Sequence, residues 1–258
     1  MSRPVILIVG AGPGMGRTVA VMAAERGMDV ALVARREESL RDTAAQVEAA
    51  GGAALCLPAD ATDAKAMGRA VDAVIARFGR LDVLVHSLLP PHLFHRILKM
   101  DEGELEDWRR SVEISTFGAL VTAYHAARPM VAQGRGAMVF VTATSGLKSY
   151  PAVSSHAVGK AGIHALMQSL ASELGEHGVR ANAVAVGVIT GKTSSEQRVY
   201  DDPQINEDLD RARDVGGGAL RRNITEREAA EAVLFLASEA SSGTTGQILA
   251  VDGGRVFH

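Results

Sequence analysis

The chain has 258 residues, of which 47% are hydrophobic, only 4% are aromatic and 27 are glycines. The net charge of −3, from 27 basic and 30 acidic residues, gives no indication of a nucleic-acid or membrane partner. The single cysteine, Cys56, excludes an internal disulfide and a cysteine-based zinc site. No apolar run has the length of a signal peptide or membrane span, so we expect a cytoplasmic protein.

Short apolar runs alternate with segments of helical spacing along most of the chain. Such runs, bounded by glycine or polar residues, are typical of buried strands. They predict strands at 5–10, 29–35, 54–60, 81–87, 137–143, 179–187 and 246–254. Helical spacing predicts helices at 17–27, 37–50, 63–78, 104–133, 153–175 and 226–238. We expect Pro129 to kink or break the longest helix, and Thr225 and Glu228 to form a capping box at the last.

This alternation predicts an α/β fold: a Rossmann-like, doubly wound parallel sheet with helices on both faces. The sequence shows no linker or repeat, so residues 1–258 are expected to form a single domain. Residues 188–222 are polar and charged, and are predicted to be irregular. They follow the carboxyl end of a strand, where open α/β sheets bind ligands, so we expect a substrate lid there.

A glycine-rich segment, VGAGPGMG, lies between the first predicted strand and the first predicted helix. Gly10, Gly14 and Gly16 would allow a tight turn and let the backbone approach the pyrophosphate of a dinucleotide. The alternative is a tight turn without a ligand, but the position between a strand and a helix favours the nucleotide.

The end of the second predicted strand indicates which dinucleotide the protein would bind. An acidic residue about 20 positions after the glycines would bind the ribose of NAD. The sequence has Arg35 there, and an arginine can bind the 2′-phosphate of NADP, with Arg36 as a second contact. We therefore predict NADP, with NAD still possible; a solvated Arg35 is the alternative. Asp60, at the end of the third strand, is a candidate contact on the adenine side.

Several segments together resemble the short-chain dehydrogenase/reductase family over nearly the whole chain. The glycine spacing matches that family's phosphate loop, and four further segments resemble its motifs: LDVLVHSLL, DWRRSVEISTFG, NAVAVGVITGKT and GQILAVDGG. The resemblance implies a dinucleotide-dependent oxidoreductase with a small-molecule substrate. It also implies a homotetramer or homodimer that pairs the two long helices. The further cofactor contacts it implies are Met15, Ala61, His86, Gly187, Val188 and Ile189.

The resemblance breaks at the catalytic positions. Family members usually carry an Asn-Ser-Tyr-Lys tetrad, in which the tyrosine exchanges a proton with the substrate and the lysine binds the nicotinamide ribose. Lys160 matches the lysine, but the tyrosine, serine and asparagine positions hold His156, Ala143 and Ser115. The nucleotide half of the site is therefore expected to be intact and the chemical half to be changed, with Ser115 still a catalytic candidate.

Two residues are candidates to replace the lost groups. His156 lies one helical turn before Lys160 and should face the same way, where a lysine ammonium would keep its imidazole neutral. It could then donate a hydrogen bond or act as a base, although a histidine that merely fills the space is an equal alternative. Ser145, two residues after Ala143, is the other candidate. Tyr150 could enter the pocket, but a packing role is favoured.

The remaining histidines have weaker signals. His86 ends a predicted strand, where a ligand contact is one interpretation and a hydrogen bond to the backbone a slightly favoured alternative. His92 and His95 are expected in an exposed loop. Their spacing does not indicate a metal site, so we predict none.

Three functions remain open at this point. The first is an NADP-dependent oxidoreductase acting on a small carbonyl or alcohol, with His156 in place of the tyrosine. The second is an enoyl-type reductase of C=C bonds, because LVHS resembles a segment of those enzymes, although Val153 stands where they have tyrosine. The third is a nucleotide-binding protein with little turnover.

Overall fold

The computed structural model describes residues 3–90, 96–190, 203–213 and 218–257. Within these ranges the strands are β1 (Val5–Val9), β2 (Asp29–Ala34), β3 (Ala54–Pro58), β4 (Val83–His86), β5 (Gly136–Ala143), β6 (Val179–Val186) and β7 (Ile248–Val251). The helices are α1 (Met15–Glu25), α2 (Glu37–Ala49), α3 (Ala64–Phe78), α4 (Glu102–Gln133), α5 (Ser154–Leu174), α6 (Pro203–Arg213) and α7 (Glu226–Ala237).

The strands form one parallel sheet in the order β3-β2-β1-β4-β5-β6-β7. Alternate residues of β1 point into two separate cores. Leu7 packs with α3, α4 and α5 on one face, and Ile8 packs with α1, α2 and α7 on the other. Strands covered on both faces need continuous apolar sequence, which explains the unbroken apolar runs. The predicted α/β class and the doubly wound, single-domain fold are confirmed.

The strand order reverses between β1 and β4, so the loops that follow these two strands diverge. In open α/β sheets this reversal leaves a crevice at the carboxyl ends of the strands, where ligands bind. The glycine-rich segment follows β1, and Ser87 follows β4, with its backbone N–H donating to Val9 O (2.8 Å). The fold therefore brings the predicted nucleotide loop to the crevice.

The sequence predicts a kink or a break at Pro129, and the break is wrong. Helix α4 continues through this residue to Gln133 and ends at Gly134, which has the left-handed φ of 65°. Ala126 and Met130, on either side of the proline, are fully buried in the core, so tertiary packing stabilises the helix on both sides of it. The capping box of Thr225 with Glu228 at the start of α7 is confirmed.

The prediction that residues 188–222 are irregular is also wrong in part, because α6 lies within them. Pro203 occupies the first helical position, where its missing N–H and fixed φ are favourable. Residues 191–202 and 214–217 lie outside the described residues, as do His92 and His95. Among the described residues, no helix combines the length and the apolar character needed to cross a membrane.

Candidate active site

The glycine-rich segment forms a tight loop that only glycine permits at three positions. Gly10 and Gly14 have positive φ values of 92° and 102°. A methyl group on Gly10 would overlap the carbonyl oxygen of Ser87, and one on Gly16 would overlap the carbonyl oxygen of Gly10. The loop therefore lies against both the end of β4 and the first turn of α1.

The amino terminus of α1 fits a negatively charged group. No side chain caps its first N–H groups, and its first turn contains no acidic residue. Uncapped N–H groups and the helix dipole together favour a phosphate at such a terminus. Met15, the first residue of α1, is half-buried beside them. The residues of this loop thus fit the pyrophosphate of a dinucleotide.

Arg35, Arg36 and Asp60 lie exposed at the carboxyl ends of β2 and β3. Asp60 Oδ1 accepts hydrogen bonds from the backbone N–H (2.9 Å) and the hydroxyl (2.8 Å) of Thr62. Burial raises the pKa of Asp60, but these hydrogen bonds, together with Arg35 and Arg110, lower it overall. Asp60 is thus a carboxylate within the field of two arginines, and Arg110 of α4 was not predicted because no motif marks it.

The other expected cofactor contacts also lie at the carboxyl edge of the sheet. Ala61 is buried beside α4, and Gly187, Val188 and Ile189 are half-buried after β6. A methyl group on Gly187 would lie 2.6 Å from Asp252 Cβ, so this turn is as tightly packed as the glycine loop. Ile189 forms a bridge with Ile224, which fixes the exit of the chain from β6.

Lys160 lies on α5 and is only 2% exposed. Its Nζ donates to the carbonyl oxygens of Leu88 (2.9 Å) and Val141 (3.4 Å), which belong to the loop after β4 and to β5. Burial lowers the pKa of Lys160 to about 8, because the ammonium loses much of its hydration. The lysine is therefore fixed between two strand ends at the crevice.

His86 is fully buried at the end of β4. Burial, with a smaller contribution from the charge of Lys160, lowers its pKa to about 3, so the imidazole is neutral at physiological pH. Neither ring nitrogen has a hydrogen-bond partner among the described residues, so the favoured hydrogen bond to the backbone is not formed. Its ring instead lies 6.1 Å from that of Phe140.

The structure brings His156 and Ser145 to the same region as Lys160. His156 is half-buried in the first turn of α5, one turn before the lysine. Ser145 lies in the short 3₁₀ turn after β5, and its hydroxyl is buried without a hydrogen-bond partner among the described residues. A methyl group on the adjacent Gly146 would lie 3.0 Å from the backbone of Lys160, so this turn packs directly on α5.

Ala143, which the sequence places at the family's serine position, has no side-chain hydrogen-bonding group. Ala143 is the last residue of β5, and Thr142 points away from the site, as expected from strand alternation. The hydroxyl of Thr142 is buried at 2.8 Å from His164 Nε2, on the core side. Ser145 lies two residues after Ala143, in the 3₁₀ turn that packs on α5.

Tyr150 has the packing role that the sequence favoured. It is half-buried and lies against a small cluster formed by Val153, Ala157 and Ile205. Ile205 belongs to α6 and is 4% exposed, so α6 packs on the start of α5. A small apolar cluster therefore lies at the end of α5 that carries His156.

Helix α6 is also held by an ion pair. Both Arg96 Nη2 (2.7 Å) and Arg96 Nε (3.2 Å) donate to Asp208 Oδ2. The side chain of Asp208 is only 4% exposed, and that of Arg96 is 38% exposed. The segment before α4 and the helix that covers α5 are thus connected through one partly buried contact.

Ser115 lies on α4 and is 1% exposed. Its hydroxyl has no hydrogen-bond partner among the described residues, and it points at Gly159 of α5, next to Lys160. The structure therefore brings Ser115 to the lysine, but through a packing contact. No group of three or more metal-ligating side chains occurs within the described parts of the chain.

A family model described as "Enoyl-(Acyl carrier protein) reductase" matches residues 10–255. Cis-4-hydroxycyclohexanecarboxylate dehydrogenase of Sinomonas cyclohexanicum is 34% identical over 253 residues, which cover 97% of this chain and 95% of that protein. L-rhamnose 1-dehydrogenase (NAD(P)(+)) of a Sphingomonas species is 32% identical, covering 96% of this chain and 94% of that protein.

The chain is also similar to solved structures of dehydrogenases. A short-chain type dehydrogenase/reductase from Mycobacterium ulcerans is 31% identical and superposes with a TM-score of 0.87, covering 99% of this chain and 91% of that one. NAD+-bound xylitol dehydrogenase is 26% identical and superposes with a TM-score of 0.89, and the match covers 98% of this chain and 99% of that one. The chain belongs to the short-chain dehydrogenase/reductase family of NAD(P)-dependent oxidoreductases.

Proposed function

We propose that this oxidoreductase uses NADP to interconvert a small alcohol and its carbonyl compound, with His156 in the place of the family's tyrosine. The observation that carries the proposal is Lys160. A fully buried ammonium, bound to two backbone carbonyls, costs stability and is retained beside a glycine loop built for a dinucleotide. Such a cost is typical of a functional site.

The dinucleotide supplies the hydride when it is bound. The chain's contribution is to hold it, and the described residues are suited to do so. The loop from Gly10 to Gly16 is assigned to the pyrophosphate, and Lys160 to the nicotinamide ribose. Asp60 and Ala61 are assigned to the adenine side, and the turn at Gly187–Ile189 to the nicotinamide side.

Arg35 and Arg36 are assigned to the 2′-phosphate of NADP. Both are exposed, and Arg35 stands at the position where a carboxylate would select NAD. Fluorescence titration with NADPH and NADH tests this assignment. We expect tighter NADPH binding in the parent protein and a loss of that preference in Arg35→Ala. Equal affinities in the parent would show that Arg35 does not contact the phosphate.

His156 and Ser145 are assigned to the substrate. A neutral imidazole at position 156 can donate one hydrogen bond to the substrate oxygen or accept its proton in the oxidative direction. The Ser145 hydroxyl is buried and has no partner among the described residues, so it can donate to the same oxygen without breaking another bond. Ala143 has no such group, which makes Ser145 the replacement for the lost serine.

The half-buried ring of Tyr150, which packs on the apolar cluster at the start of α5, suits a substrate with an apolar body. Two relatives from Sinomonas cyclohexanicum act on cis- and trans-4-hydroxycyclohexanecarboxylate, which carry a secondary alcohol on a saturated ring. We assign an alicyclic alcohol or ketone as the substrate class, with α6 and the surrounding residues 188–222 as its cover. The protein is assigned to the cytoplasm as a homo-oligomer.

A second candidate is the reduction of a C=C bond conjugated to a carbonyl group. It is supported by the description of the matching family model and by the His86-Ser87 pair that resembles enoyl reductases. A panel of cyclic ketones, cyclic enones and enoyl thioesters, each assayed for oxidation of NADPH, separates the two candidates. Turnover with ketones alone would support the first, and turnover with enoyl thioesters alone would replace it.

A further inference from the structure

Helices α4 and α5 cross unusually closely beside Lys160. A methyl group on Gly159 would lie 2.7 Å from Ser115 Oγ and 2.8 Å from Ser115 Cβ. Real Cβ atoms do not approach other heavy atoms within 3.0 Å, so a larger residue at 159 requires a shift of one helix. Turning the serine side chain would not remove the clash, because its Cβ is fixed to the backbone of α4.

The two helices also approach each other closely on both sides of this contact. Trp108 Nε1 donates to Ser154 Oγ (3.0 Å) at the start of α5. One turn beyond Gly159, a methyl group on Gly162 would lie 2.6 Å from Thr116 Cγ2, but 3.8 Å from Thr116 Cβ. Because the hydrogen bond between Trp108 and Ser154 holds the start of α5 to α4, a clash at Gly159 is expected to displace the second turn of α5, which carries Gly159.

The displaced turn would carry Lys160 with it. Lys160 follows Gly159 directly, and its Nζ reaches two carbonyl oxygens at distances of 2.9 and 3.4 Å. These acceptors belong to the loop after β4 and to β5, which α5 would leave behind if it moved away from α4. The depth of Lys160 in the crevice is therefore set by the contact between Gly159 and Ser115.

The Ser115 hydroxyl argues against a purely stabilising role for this contact. It is buried and makes no hydrogen bond to any described residue, and the hydroxyl of Ser155, one turn before Gly159, is in the same condition. Burying a hydroxyl without a partner costs stability. An interface selected for stability alone would have alanine at these positions.

We propose that Gly159 is a positioning residue for the dinucleotide, acting through Lys160, and that Ser115 determines the space available to it. The inference rests on the proposed contact of Lys160 with the nicotinamide ribose. The side-chain sizes tolerated at positions 115 and 159 should therefore depend on each other: a side chain fits at one of them only when the residue at the other is small enough.

Nucleotide affinity of the purified protein tests this proposal, measured by fluorescence titration with NADPH and with NADH. Gly159→Ala is expected to weaken binding of the preferred nucleotide by about tenfold or more, which corresponds to ~1.4 kcal/mol. Gly162→Ala is the matched control, since it makes the same exchange on the same helix but meets Thr116 Cγ2, which a rotation of the Thr116 side chain moves away at the cost of its hydrogen bond to Val112 O. It should change the affinity by less than about twofold, because this rotation leaves α5 in place.

The decisive variant is Gly159→Ala combined with Ser115→Gly, which moves the side chain from one helix to the other. Its affinity should return to within about threefold of the parent. Equal weakening by Gly159→Ala and Gly162→Ala without this rescue would show general loosening and overturn the proposal. So would parental affinity in Gly159→Ala. If Gly159→Ala does not fold, Ser115→Thr, which adds a methyl group from the α4 side, is expected to weaken binding, and unchanged affinity there would overturn the proposal.

The proposed function and the positioning role of Gly159 can be contradicted by different results. If the parent protein binds neither nucleotide, the proposed function fails. If the parent binds a nucleotide and Lys160→Ala abolishes that binding while Gly159→Ala does not alter it, only the positioning role of Gly159 fails.

Discussion

The buried ammonium of Lys160 should cost the protein stability, and its removal tests that cost. Relative to an ordinary lysine, a pKa lowered from 10.5 to about 8 corresponds to at most about 3 kcal/mol. Loss of the bonds to two carbonyl groups offsets part of the gain. We therefore expect Lys160→Met to raise the free energy of unfolding by about 1–2 kcal/mol at pH 7 and to weaken nucleotide binding.

The contribution of Lys160 to the free energy of unfolding should change with pH in a defined direction. Between pH 8 and 10.5 the unfolded chain binds more protons at this lysine than the folded chain, so the parent should gain stability from it as the pH rises through that window. Urea unfolding of Lys160→Met should lack this gain, whereas exposed Lys148→Met should keep it. A less stable Lys160→Met at pH 7 would contradict the assigned cost.

His86 should make the protein sensitive to acid. Its pKa is lowered from 6.5 to about 3 in the folded state, so the unfolded state takes up a proton first as the pH falls below 6.5. This costs about 2 kcal/mol of stability between pH 7 and pH 5. His86→Asn should remove that part of the pH dependence in urea unfolding, and exposed His177→Asn should not. Parallel pH profiles for parent and His86→Asn would show that another group is responsible.

Substitution of His156 tests the chemistry that we propose for this site. His156→Phe should leave nucleotide affinity unchanged and lower turnover by about 10²-fold or more if the imidazole exchanges a proton with the substrate. Steady-state kinetics and nucleotide titration on the same preparation check both parts. The double variant His156→Tyr with Ala143→Ser, which restores the family's usual groups, should reduce the ketone at least as fast as the parent. Unchanged turnover in His156→Phe would make the histidine a space-filling residue.

The residues of the site differ in how far the sequence reveals them. The glycine spacing and the position of Lys160 can be recognised from the sequence, because a phosphate loop and a lysine at a fixed place on a helix are local features. The burial of His86 and the contact of Ser115 with Gly159 depend on how β4, α4 and α5 pack. No local pattern contains that information, and the same holds for Arg110 beside Asp60.

At the scale of elements, α6 is held over α5 by contacts from distant parts of the chain. Asp208→Asn should weaken the ion pair with Arg96 and speed hydrogen exchange in the amides of α6 by about tenfold, which corresponds to ~1.4 kcal/mol. If α6 covers the substrate, KM should rise more than kcat falls. Exchange rates equal to those of the parent would mean that apolar packing alone holds α6.

The sequence predicts most elements to within two residues, because a sheet covered on both faces demands apolar strands. It does not reveal α6, because Ile205, Leu209 and Ala212 have helical spacing but lie among polar and charged residues, and because the partner of Asp208 is Arg96, more than a hundred positions away. The continuation of α4 through Pro129 has a similar cause, because tertiary packing outweighs local propensity there.

For the whole molecule, the exposed apolar side chains on the long helices support the predicted homo-oligomer. Phe117, Leu120 and Tyr124 of α4 and Val158 of α5 are each about half exposed. We expect light scattering at micromolar concentration to give a dimer or tetramer, and Leu120→Glu to reduce its mass by disrupting this surface. A parent protein of monomer mass would contradict the prediction.

The central claim is that this chain keeps the family's nucleotide site and performs carbonyl chemistry without the family's tyrosine. The most direct test is the rate of NADPH oxidation by the parent protein with a cyclic ketone, measured beside the matching cyclic enone and an enoyl thioester. Substrate-dependent oxidation with the ketone, faster with NADPH than with NADH and absent in Lys160→Ala, is the predicted result. Oxidation only with the enone or the thioester, or with none of the three, would contradict the claim.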